Sequence, residues 1–95
     1  VMSRDTEYPS TACFSVHAGV DPSVMPRVLE ELAKRGLVPV QWHSTIAGPT
    51  GEEIHMDFQV AGLEPGLVTR IAQALRRIGL VELVLTAEKP LARSA

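Results

Sequence analysis

A single cysteine, Cys13, is too little for an internal disulfide framework or a multi-cysteine zinc site. Aromatic residues make up 4% of the chain, so the core has to come mainly from Val, Leu, Ile and Ala. Basic charge is not in excess: 9 Lys and Arg face 11 Asp and Glu, for a net charge of -2. That excludes a dedicated nucleic-acid binder, whose footprint is a basic surplus. No apolar run reaches the roughly 18 residues that span a bilayer, and residues 1–10 hold no apolar signal-peptide region. A cytoplasmic protein with no membrane contact is the expectation. The chain has no GxSxG, P-loop, GxGxxG or HExxH motif. With 95 residues and a filled core, little room is left for an active-site pocket. A non-catalytic protein without a cofactor is expected.

What the chain does have is periodicity. At 95 residues it is one small domain, read as residues 11–87 between a flexible leader, 1–10, and a flexible tail, 88–95. Thr11–Ala18 alternates, with Ala12, Phe14, Val16 and Ala18 on one face. Pro22–Arg35 reads as a helix, with Asp21 as its cap and Met25, Val28, Leu29 and Leu32 as its apolar stripe. Pro26 falls in its first turn, where a missing N–H costs little. Glu30–Lys34 and Glu31–Arg35 are spaced as ion pairs on the outer side. Gly36 is the expected stop.

Leu37–Ile46 reads as a second strand, and Pro39 makes it an edge strand because it cannot donate to a ladder. Ala47–Gly51 is a turn by composition, and Glu53–Val60 alternates clearly, so the two strands form a hairpin. A second helix is expected over Pro65–Ile78 with Gly79 as its stop, then a strand over Leu80–Thr86. The order strand, helix, strand, strand, helix, strand has one compact right-handed solution. This is the α+β ferredoxin-like βαββαβ sandwich: a four-stranded antiparallel sheet, order 4-1-3-2, with both helices on one face.

Three histidines fall on the strand face opposite the core: His17, His43 and His55. The 4-1-3-2 order brings them toward one end of the sheet, with Asp57 two residues beyond His55. Three imidazoles, or two and a carboxylate, form a donor set for zinc or another transition metal. The same group at a subunit contact would respond to mildly acid pH. Outward strand histidines are also common, and no His-x-x-x-His spacing accompanies these. Cys13 and Ser15 share the face without an ordered base nearby. No Phe, Tyr or Trp stands on the central strands of that face, which counts against stacked RNA bases.

The stretch Asp21-Pro-Ser-Val-Met-Pro-Arg-Val-Leu29, followed by Ala33-Lys-Arg-Gly-Leu37, resembles the first helix and strand start of an ACT domain. Gln73-Ala-Leu-Arg-Arg-Ile-Gly-Leu-Val-Glu-Leu83 is similar to that family's second helix and last strand. Within the family the chain most resembles the short small subunit of acetohydroxyacid (acetolactate) synthase. The resemblance implies a non-catalytic regulatory domain. It also implies a homodimer, an amino-acid effector and a large catalytic subunit as partner. It places the effector at the loop Gly19, Val20, Asp21, Pro22 and Ser23, although the Pro-Gly pair of ligand-binding members is absent there. Gly19 stands in that position, and Asp21 matches the family's Asn or Asp. The bland roles of the two are a permitted turn and a helix cap.

Overall fold

The computed structural model of the chain describes residues 10–90. The expected leader 1–9 and residues 91–95 lie outside the described residues. The elements are β1 (Ser10–Gly19), α1 (Val24–Ala33), β2 (Gln41–Ala47), β3 (Glu53–Ala61), α2 (Pro65–Arg76) and β4 (Val81–Pro90). The sheet order is β2-β3-β1-β4, with every neighbouring pair antiparallel. This is the expected 4-1-3-2 order read from the other edge.

The alternation of β1 and β3 decides which way each side chain faces. Phe14, Val16 and Ala18 are buried together with Met56, Phe58 and Val60. Val24, Val28 and Leu32 of α1 and Ile71, Ala72 and Leu75 of α2 complete this core. Aromatics are few, and the structure concentrates them. Phe14 and Phe58 are cross-strand partners stacked at 5.0 Å, and Trp42 stacks on the other side of Phe58 at 4.9 Å. One row across three strands thus carries three rings, each pair adding to plain area burial. Among the described residues no polar or charged side chain is buried.

Several boundaries differ from the sequence expectation, each for a local reason. Helix α1 begins at Val24 rather than Pro22, because Asp21 and Ser23 form a turn ahead of it. Its buried stripe is therefore Val24, Val28 and Leu32, and Leu29 stays exposed. The helix ends at Ala33, two residues short of the expected Arg35, and Gly36 supplies the expected stop. Gly36 sits at φ 73°, and the Gly36 and Leu37 amides donate to the Ala33 and Leu32 carbonyls, the two bonds of a Schellman motif. Glu31 pairs with both Lys34 at 3.2 Å and Arg35 at 2.9 Å, in place of the expected Glu30–Lys34 pair.

Strand β2 begins at Gln41, not Leu37. Pro39 precedes the ladder instead of standing in it, and Val38 and Val40 are left exposed. The edge position of β2 is as expected, but Pro39 sets where the strand starts. Helix α2 is capped by Glu64, whose carboxylate accepts from the Gly66 amide at 2.9 Å, with Pro65 in the first turn. It ends at Arg76, and Gly79 takes no left-handed conformation. Strand β4 runs to Pro90, past the expected end at Thr86. The long β1 strand offers a partner to each added residue, through Ala12↔Glu88, Thr11↔Lys89 and Ser10↔Pro90. Residues 88–90 are therefore strand rather than tail, and Ser10 belongs to β1 rather than to the leader.

Candidate functional site

The loop Gly19–Ser23 leaves the end of β1 beside the start of β3, where Gly19 pairs with Glu53. Two backbone bonds anchor it. The Gly19 amide donates to the Leu80 carbonyl and the Val20 amide to the Glu52 carbonyl, both at 3.0 Å. Both amides are thus engaged within the fold. Gly19 itself is not under steric demand. A Cβ there would meet only the Leu80 side chain at 3.6 Å, an ordinary contact.

Asp21 carries the loop's chemistry. Its Oδ1 accepts from the Ser23 amide at 2.9 Å and from the Ser23 hydroxyl at 2.7 Å. The Ser23 amide bond first, then the hydroxyl bond, and last the Arg27 charge hold its carboxyl below the ordinary value. The Asp21 carbonyl accepts from the Val24 amide at 3.1 Å, so the residue shapes the start of α1 through main chain and side chain together. The neighbouring β2–β3 turn is built likewise. Glu52 accepts from the amide and hydroxyl of Thr50, and these bonds lower its pKa. This end of the sheet thus presents two ionised carboxylates.

The histidines separate into a pair and a single residue. His17 and His55 are direct partners across β1 and β3, with rings stacked at 3.7 Å and 11° between their planes. His55 Nε2 lies 3.0 Å from Glu53 Oε1, and His17 Nε2 lies 3.4 Å from Ser15 Oγ. His43 lies across from Asp57 on β2 and contacts Thr45 Oγ1 at 3.0 Å instead of joining the pair. Imidazole lone pairs lie in the ring plane, so two stacked rings send theirs along parallel lines rather than to one ion. Among the described residues no three His, Cys, Asp or Glu side chains gather as a metal site. The donor set expected from strand parity is therefore not assembled in this arrangement. The expectation lacked the sideways rotamers that stack the rings, which parity does not specify.

Two features carried no sequence signal. Arg76 donates from Nη2 to the Val84 carbonyl at 2.8 Å, so a helix side chain occupies a backbone group of the edge strand β4. On the helix-free face, Cys13, Ser15, His43, Asp57 and Leu85 line an open depression of about 210 Å³. Cys13 is a free, half-buried thiol there. Among the described residues no helix is long and apolar enough to cross a membrane.

No family model matches the sequence, and no curated protein matches it. Solved structures do match. The ACT domain of GTP pyrophosphokinase from Chlorobium tepidum superposes with a TM-score of 0.70 at 10% identity, over 85% of this chain and 99% of that one. The C-terminal domain of the MgtC protein from Mycobacterium tuberculosis gives 0.66 at 14% identity, over 90% and 94%. The regulatory subunit of aspartate kinase from Thermus flavus gives 0.57 at 17% identity, over 88% and 53%. Together with the strand order, these likenesses establish the fold: the chain is built on the ferredoxin-like βαββαβ plan that ACT domains share.

Proposed function

We propose that the chain is a non-catalytic, cytoplasmic regulatory domain of the ACT type. It pairs side by side with a second copy through β2 and responds to an amino acid at Gly19–Ser23. The observation that carries this reading is the loop itself. Its main chain is tied down by the Gly19 and Val20 bonds, while Asp21 stands in solvent with Oδ1 engaged by Ser23. Such a carboxylate, already ionised and positioned, suits the ammonium group of an amino acid. Because the two amides beside it are engaged, the effector's own carboxylate would be met from outside the loop, by the paired copy. An asymmetry between the two sheet edges supports pairing through β2. Arg76 occupies a carbonyl of β4, while Val40 just ahead of β2 and Ile46 within it are exposed. The effector works by population shift, favouring the paired arrangement it bridges.

The engaged amides also support a second reading, in which no effector binds. The domain then docks on a large catalytic subunit, of the acetohydroxyacid synthase kind, and activates it. Calorimetry with the branched-chain amino acids separates the two. Heat of binding that disappears in Asp21→Ala supports the effector reading. No heat with any of them, in protein shown to be folded, leaves the docking reading.

A further inference from the structure

The helices cover one face of the sheet and leave the other bare. We propose that this bare face is an interface, where two copies of the chain stack sheet against sheet. The proposal goes beyond the edge pairing above and uses a different surface.

Three observations carry it. The first is composition. On β1 and β4 the bare face holds Cys13, Ser15, His17, Leu83, Leu85 and Ala87, with the one lysine, Lys89, at its far end opposite Thr11. Leu83 is 40% and Leu85 54% exposed, side by side on one strand face. Large apolar side chains clustered on an otherwise charge-poor surface mark a contact site.

The second is area. Four strands at ~4.8 Å spacing and about nine residues at ~3.4 Å each span a footprint on the order of 600 Å². With the relief of the side chains this approaches the ~800 Å² per partner of a standard stable interface. A second copy of the same flat face covers all of it, because stacked sheets align with a small rotation and interdigitate at ~10 Å.

The third is charge, which selects the partner's orientation. The acids of the face, Glu53 and Asp57, both lie on β3. A two-fold axis across the strands would set β3 on its own image and bring like charges together. An axis along the strands, between β1 and β3, sets each β3 over the β1 strand of the partner, opposite Ser15 and His17 positions. Self-stacking therefore has an arrangement free of facing carboxylates.

The test is sedimentation equilibrium on the whole chain over a range of concentrations, with one variant for each surface. Leu85→Glu places a carboxylate at the stacked face, and because Leu85 is exposed in the single chain the fold is kept, which circular dichroism verifies. Ile46→Lys blocks the β2 edge and leaves the bare face intact. The inference expects Leu85→Glu to weaken one association step at least about tenfold while Ile46→Lys leaves that step in place. A wild-type association unchanged by Leu85→Glu overturns it, whatever else the face binds. Loss of all association in Ile46→Lys alone would overturn it too, while preserving the edge pairing.

Discussion

His17 and His55 face each other across the two central strands with ring centroids 3.7 Å apart, the closest ring stacking in the described chain. The pair sits where β1 and β3 are in direct register, two residues from the Gly19 end of β1. Direct opposition at such a position lets two planar side chains lie flat on one another. The stack should therefore contribute more than the two residues do separately. A double-mutant cycle with His17→Ala and His55→Ala, read by urea denaturation at neutral pH, is expected to give a coupling of about 0.5–1.5 kcal/mol. Strictly additive effects would show that the rings are only neighbours.

Two glycines that look alike in the sequence should respond in opposite directions. Gly36 and Gly79 both follow an amphipathic helix. Gly36 takes φ 73° and closes a Schellman motif, whereas Gly79 takes no left-handed conformation and a Cβ there meets nothing within 4 Å. Gly36→Ala should cost about 1 kcal/mol through left-handed strain. Gly79→Ala should be neutral or stabilise by about 0.4–1 kcal/mol, by narrowing the unfolded ensemble. Thermal melts of the two variants decide the matter, and equal shifts of the same sign would contradict the assignment.

Asp21 gives a pH dependence with a definite sign. The Ser23 amide and hydroxyl stabilise its charged form, so its folded pKa lies below the ordinary 3.8. A group lowered on folding contributes above its unfolded pKa and loses that contribution as pH falls through the folded value. The Asp21–Ser23 turn should therefore be intact at neutral pH and open only on the acid side of 3.8. Carbon-13 titration of the Asp21 carboxyl, followed together with the Ser23 amide shift, reads both partners. A midpoint at or above the ordinary value, or a Ser23 amide that does not move with it, would contradict the turn.

The architecture was legible because alternation and helical spacing are local. Ala12, Phe14 and Val16, repeating every second residue, place one face of β1 inside whatever it pairs with. Val28 and Leu32 do the same for α1 at a helical period. With the order of elements and the handedness of crossovers, these local patterns were enough for the sheet order. The boundaries were less legible because they depend on partners distant in sequence. Residues 88–90 look like a polar tail, yet they pair with Ser10–Ala12 because that length of β1 needs a ladder. Val38 looks like strand, yet it lies outside it because the first backbone bond to β3, from the Val40 amide to the Gln59 carbonyl, comes only after Pro39.

The candidate site divides in the same way. The residue types of the Gly19–Ser23 loop are plain in the sequence, and Asp21 bonding to the amide two residues on is local chemistry that the order Asp-Pro-Ser carries by itself. That the Gly19 and Val20 amides are already taken was decided by tertiary structure. Their acceptors, Leu80 and Glu52, arrive from other parts of the chain. Likewise, strand parity alone put three histidines on one face. The register between strands, and rotamers chosen by contacts with Ser15, Thr45 and Glu53, made them a stacked pair and a separate single residue. Which face a side chain takes follows from backbone period. What that side chain meets there follows from packing between segments, which no local pattern encodes.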